Sequence, residues 1–321
     1  MTKQRLASMA GPLRATVRHV AGFCALAFLV ACARIAVAPQ PESFSSSQKL
    51  LGTYYFYWYK YPKEHFFDDG SKMRDDALVD HFPRPEKVDY ESVEWHCREL
   101  SDIAWCGIDF VLPVYWGAPG NYDRRQGSFS VRGLDAMQKA RDQLLARGKP
   151  CPRIGMFYDT TTLLNDLRGD SPRGGKADLT TAHGKDVFYC TIRDYWKRLD
   201  RRHWAMLDGR PIVCLYTAAW AANFDQSSLD YVYDNFEHDF AVRPYIIADA
   251  SWAKKAKADA FYAWGAALRG PVVSDVVQIG PGYDDRAVPR RSTPIRDRED
   301  GRFYEYGWLK ALGSGRHIVL I

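Results

Sequence analysis

Carboxylates and aromatic rings recur together wherever an apolar run of this chain ends. Tyr158-Asp159 closes one run, Tyr216 another and Asp249 a third, while Tyr283-Asp284-Asp285 follows a fourth directly after Gly280-Pro281-Gly282. Two earlier runs end in Tyr55, Tyr57 and Trp58, and in Tyr115 and Trp116. Carboxyl groups that face each other across a bond can protonate a leaving oxygen and activate or stabilise the opposite side. A flat ring with one polar atom can lie on the apolar face of a polyol while its edge stays wet. Acid and ring together suit proton transfer on a sugar. Asp159 and Asp284 are the candidate catalytic acids. Tyr55, Tyr57, Trp58, Tyr115, Trp116, Tyr158, Tyr216, Asp249, Tyr283 and Asp285 are the candidate substrate-binding residues. Each ring alone has a blander reading as core or rim packing. Asp284-Asp285 before Arg286 reads equally as a paired acid or as a solvated turn. Asp109, early in its run, is expected to be a structural, hydrogen-bonded carboxylate.

For such residues to meet, the runs must be strands that end on one rim. Apolar β-forming stretches fall at residues 51–59, 107–117, 153–159, 211–217, 243–249, 258–264, 272–279 and 317–321. Helical spacing of apolar residues falls at 90–104, 134–146, 187–201, 229–239 and 303–312, with Asp300 a suitable N-cap for the last and 296–300 a solvated charge run before it. Alternation of near-continuous apolar strands with helices implies a parallel sheet. About eight strand units, and no Gly-x-Gly-x-x-Gly turn after the first, favour closure over an open doubly wound sheet. The expected fold is a (β/α)8 TIM-type barrel, whose site lies at the C-terminal ends of its strands.

The chain has 321 residues and a formal net charge of +5, with 44 basic residues spread against 39 acidic ones. Without a clustered basic stripe it is not expected to bind nucleic acid. Lys3, Arg5, Arg14 and Arg18 precede a short apolar run at 20–31, too short to span a bilayer comfortably, which marks residues 1–38 as an export leader. Leu29-Val30-Ala31-Cys32 reads as a lipobox with Cys32 lipidated. Ala31-Cys32-Ala33 or Ala36-Val37-Ala38 reads as an ordinary cleavage site, and an uncleaved anchor is the third alternative. Residues 39–50 form a polar linker and 51–321 the barrel, giving an exported monomer that meets a membrane only through the lipid. Seven cysteines at irregular spacing and scattered histidines predict free thiols and neither metal nor cofactor, with Cys97 and Cys106 the one pair near enough in sequence to bridge.

Five stretches carry a resemblance. These are Gly52-Thr-Tyr-Tyr-Phe-Tyr-Trp-Tyr, Gly107-Ile-Asp-Phe-Val-Leu-Pro-Val-Tyr-Trp-Gly, Gly209-Arg-Pro-Ile-Val-Cys-Leu-Tyr, Ile279-Gly-Pro-Gly-Tyr-Asp-Asp-Arg and Gly301-Arg-Phe-Tyr-Glu-Tyr-Gly-Trp. They resemble a bacterial secreted family of uncharacterised glycoside-hydrolase-like barrels, which is similar in turn to the endo-α-mannosidases of glycoside hydrolase family 99. The resemblance implies a glycan or polysaccharide substrate, with Tyr55, Trp58, Tyr115 and Trp116 matching aromatics that line the sugar cleft. In the endo-α-mannosidases the key glutamates follow the last barrel strand in a Trp-Asn-Glu-x-His-Glu-Gly motif. Here the last strand is His317 to Ile321, so the family glutamates are expected beyond Ile321 and have no counterpart in the chain. The resemblance therefore implies a barrel lacking its last loop and helix, with an open terminal strand. Two functions remain: a glycosidase, inactive if its carboxylates are missing, or a non-catalytic carbohydrate-binding lipoprotein.

Overall fold

Eight strand positions, most of them a handful of β-branched and aromatic residues, line up side by side in the computed structural model, which describes residues 42–62, 84–117, 127–165, 175–285 and 294–321. They are β1 (Leu50–Tyr55), β2 (Phe110–Tyr115), the paired segments β3 (Arg153–Ile154) and β4 (Met156–Tyr158), β6 (Arg210–Leu215), β7 (Tyr245–Asp249), β8 (Ala260–Tyr262), β10 (Val277–Gln278) and β11 (Ile318–Leu320). Two short strands, β5 (Met206–Leu207) and β9 (Val272–Val273), pair antiparallel with β6 and β10. The order is β8-β7-β6-β4-β2-β1-β11-β10-β9, and every ladder between barrel strands is parallel. The ring closes between β8 and β10 through two contacts. Val276 N–H donates to Phe261 O at 3.1 Å, and Phe261 N–H donates to an Asp275 carboxylate oxygen at 3.0 Å. The fold is thus a nearly closed barrel of the (β/α)8 type, as its strand pattern predicts.

Helices α1 (Val93–Trp105), α2 (Gly127–Ala146), α3 (Ala182–Arg198), α4 (Gln226–Phe240), α5 (Ala266–Arg269) and α6 (Arg302–Gly313) lie between the strands in sequence. The Ser92 hydroxyl caps α1 by accepting from Trp95 N–H at 3.2 Å, and α1 buries Trp95, His96 and Leu100. Strand side chains alternate between these helices and the barrel interior. Gly52 belongs to the inward set: a Cβ there would stand 2.4 Å from the Phe110 ring and 2.8 Å from Leu320, so its absence lets Phe110 fill the barrel.

Several expectations need correction. Residues 272–279 are not one strand but the β9–β10 hairpin, since Ser274 and Asp275 turn the chain. Helix α3 starts at Ala182 because the Thr181 hydroxyl accepts from Gly184 N–H at 3.0 Å, five residues before the apolar periodicity becomes visible. Asp300 does not cap α6. It sits at φ 54°, and the cap position is Gly301 in the left-handed region. Arg296 is not simply solvated, for its Nε donates to Leu268 O at 3.0 Å and its guanidinium lies over the Phe303 ring.

The expected open terminal strand is also corrected. Strand β11 is paired on both sides, to β10 and to β1. The pairing to β1 runs on through Ile321, whose N–H donates to Gly52 O at 2.9 Å. The Ile321 carbonyl accepts from Tyr54 N–H at 3.2 Å and from the Thr53 hydroxyl at 3.0 Å. Ile321 is therefore hydrogen-bonded into the barrel wall beside β1.

At the other end, residues 42–49 are not a free tether: Phe44 exchanges backbone hydrogen bonds with Met206 and Asp208, and its ring packs on Phe110. Asp109 accepts from Leu51 N–H at 2.8 Å, a structural tie between β1 and the start of β2. Among the described residues Cys97, Cys106, Cys151, Cys190 and Cys214 form no disulfide; Cys106 is exposed, and of the five only Cys190 and Cys214 are buried. The leader and Cys32 lie outside the described residues.

Candidate functional site at the barrel mouth

Parallel registry brings residues of neighbouring strands to the same height. Tyr115 pairs with Tyr158, Tyr158 with Leu215, Leu215 with Ala248, and Asp249 with Tyr262. One residue further along, the same register sets Trp116, Asp159, Tyr216, Asp249 and Tyr262 in one row around the mouth. Trp58 extends the row from β1, its ring 5.7 Å from that of Trp116. Trp264, just after β8, reaches over the barrel interior. Its ring meets those of Tyr54 (4.9 Å), Tyr216 (5.0 Å) and Phe157 (5.6 Å, stacked), with Phe56 at 6.3 Å. Tyr54, Phe56, Trp58, Trp116, Tyr216 and Trp264 are all only half-buried, and they form an aromatic floor and walls at the mouth. Beneath them Gln278 donates to the Tyr54 hydroxyl at 3.2 Å and accepts from Ala266 N–H.

Two carboxylates sit in this row. Asp159 is 7 % exposed. It accepts from the Trp116 indole N–H at 2.6 Å and from Thr161 N–H at 3.1 Å. Burial nevertheless holds its carboxyl above the usual carboxylate range, outweighing both hydrogen bonds. Asp249, also buried, accepts from Ser251 N–H (3.0 Å), from the Ser251 hydroxyl (2.5 Å) and from Trp264 N–H (3.1 Å). On the opposite side of the ring, past β10, Asp285 is buried and accepts from the Tyr283 hydroxyl at 3.1 Å, whereas Asp284 is exposed. Tyr283 is held by a two-bond bridge to Arg296. Among the described residues, Asp159, Asp249 and Asp285 are the buried carboxylates. No group of three metal-ligating side chains converges among the described residues.

Four of the rings expected to bind substrate are instead part of the core. Tyr55 donates to buried His96 on α1, and Tyr57 donates to Ser130 O on α2. Tyr115 packs on Tyr195 and Tyr158 stacks on Phe188, both on α3. The cause is the two-residue period of a strand: each lies one step out of phase with the inward set. The residues in phase with Trp58 are Tyr54 and Phe56, and those in phase with Asp159 include Phe157. The signal that would have picked them is Gly52, whose missing side chain marks the crowded inner face. Trp264 lies two residues beyond β8 and carried no comparable signal.

A family model described as "Domain of unknown function (DUF5010)" matches residues 42–321. The chain belongs to this family. No functionally curated protein matches it. Among solved structures, the DUF5010 barrel is similar to the GH99 endo-alpha-mannosidase from Bacteroides thetaiotaomicron in complex with BIS-TRIS-propane. The TM-score is 0.55 at 14% identity, covering 85% of this chain and 82% of that one. A second structure of the Bacteroides thetaiotaomicron enzyme gives 0.52 at 16% identity, covering 84% and 83%. A structure titled "Glycoside hydrolase-like protein" gives 0.57 at 14% identity, covering 89% and 86%. At these identities the likeness is one of fold: the barrel of this chain is like those of these structures.

Proposed function

We propose that the protein is an exported hydrolase that holds a glycan across the mouth and cleaves a glycosidic bond. The observation that carries the reading is Asp159, a buried carboxyl that burial holds above the usual carboxylate range beside the half-buried rings of the mouth. That is the property a glycosidase's general acid needs. Trp58, Trp116, Tyr216 and Trp264 supply faces for sugar rings. We assign the second carboxylate to Asp285 rather than Asp284, because Asp285 is buried and follows β10, four strands round the ring from the β4 that carries Asp159. In the mechanism Asp159 passes its proton to the leaving oxygen, and the Asp285 carboxylate activates water or bonds to the anomeric carbon. The neighbouring glycosidase folds support the substrate class, since one solved neighbour is an endo-alpha-mannosidase. The test is hydrolysis of a defined glycan panel by wild type, Asp159→Asn and Asp285→Asn. Turnover lost in both variants with binding retained supports the reading, and a wild type that binds but never cleaves overturns it.

One observation favours a second reading, non-catalytic glycan binding: both Asp159 oxygens already accept hydrogen bonds that orient Trp116 and the turn at Thr161. Binding without cleavage by the wild type selects it. Export rests on the basic and apolar leader, with lipidation at Cys32 as one route. Membrane-fraction localisation that Cys32→Ala abolishes would support the lipid anchor, and soluble export of both forms would refute it.

A further inference from the structure

Asp249 stands in the inward row, yet its carboxylate is spent on the protein itself. One oxygen takes both the N–H and the hydroxyl of Ser251, and the other takes Trp264 N–H. The Ser251 oxygen in turn accepts from Ala218 N–H at 2.8 Å and lies 3.1 Å from the Thr217 hydroxyl. Ser251 spends its only proton on Asp249, so Thr217 must be the donor in that contact. The Thr217 hydroxyl also accepts from Ala219 N–H, and Thr217 O accepts from Thr160 at 2.6 Å. One chain of hydrogen bonds therefore runs from the loop after β4, through those after β6 and β7, to the residue after β8. The ends it controls are Tyr216, whose carbonyl is also bound by the Trp252 indole at 2.7 Å, and Trp264, whose ring meets Tyr216 edge to face.

We propose that Asp249 is a positioning residue that fixes Trp264 and Tyr216 as one rigid aromatic wall of the mouth. Its relevance to sugar recognition rests on the glycan-binding reading above. No other side chain can replace it. Asparagine offers one acceptor oxygen where two are used, so either Ser251 N–H or Trp264 N–H faces an amide N–H whichever way it turns. Glutamate is a methylene too long for the turn. The loss of one buried acceptor releases the loop that carries Trp264.

The readout that separates positioning from bulk stability is the indole of Trp264. In protein labelled with 5-fluorotryptophan, the Trp264 fluorine line is assigned by its absence in Trp264→Phe. Asp249→Asn is expected to shift and broaden that line while the Trp116 line, held by Asp159, stays in place. Glycan affinity should fall at least about tenfold in the same variant, as for the loss of one stacking ring. An unmoved Trp264 line overturns the assignment whatever the glycan does. If wild type binds no glycan, the functional reading fails, and the Trp264 line still decides this one. Should Asp249→Asn not fold, amide exchange in the wild type decides: Trp264 N–H should be protected, and exchange at the rate of an open loop refutes the bond.

Discussion

Lowering the pH should unfasten β1 from its helix through His96. The imidazole is fully buried between β1 and α1. Its Nε2 lies 2.8 Å from Tyr90 O, which can only accept, so Nε2 carries the proton; Nδ1, 2.9 Å from the Tyr55 hydroxyl, accepts from it. Both nitrogens are satisfied only when the ring is neutral, and burial lowers its pKa to about 4. In the unfolded chain the ring protonates near pH 6.5. The unfolded state therefore binds more protons below that value, and stability present above pH 6.5 is lost as the pH falls toward 4. The gap from 6.5 to about 4 corresponds to roughly 3 kcal/mol, or a Tm change on the order of 6–12 °C for a domain of this size. His203 is lowered to about 4 as well, chiefly by burial and then by Arg141, and titrates in the same window. The difference between wild type and His96→Gln isolates His96. The variant is less stable at pH 7, and its deficit should shrink by roughly 3 kcal/mol on going to pH 4. Thermal melts that stay parallel over that range would refute the argument.

Other outcomes follow from the same contacts. Asp159→Asn should lower turnover by at least about a hundredfold, as expected for a general acid, while glycan affinity changes little. Trp116→Phe removes the indole N–H that favours the Asp159 carboxylate. The acid should then stay protonated to higher pH, so the alkaline limb of the pH–rate profile moves upward; a downward move contradicts the role. Gly280→Ala would set a Cβ 2.6 Å from the Ala267 Cα and Cβ, costing about 2–3 kcal/mol in denaturant melts.

The barrel was legible because strand-forming runs alternate with amphipathic helices, and no tertiary detail is needed to see that. The mouth was legible only as a height. That Asp159, Tyr216 and Asp249 share a rim follows from strand ends alone. Which of Tyr54 and Tyr55 faces inward depends on phase, and a run of aromatics at 54–59 hides phase because both faces are apolar. The role of Asp249 was out of reach for another reason. Ser251 is a local turn partner, but Trp264 comes from the next loop, and only the β7–β8 register brings its N–H to the same carboxylate. The pairing of Ile321 was hidden in the same way, since its partners Gly52, Thr53 and Tyr54 stand at the far end of the chain. The ranking of Asp285 over Asp284 likewise depends on burial, which a loop with no local periodicity does not signal.

The central claim is that a glycan lies across the half-buried rings of the mouth. Its most direct test is titration of wild type and single variants with glycans selected from an array. Trp264→Ala and Trp116→Ala should each lose at least about tenfold in affinity, in line with the 1–3 kcal/mol measured for bases stacking on aromatic rings. Tyr158→Phe, altered behind the strand, should bind as wild type does. Undiminished binding by both tryptophan variants would contradict the account.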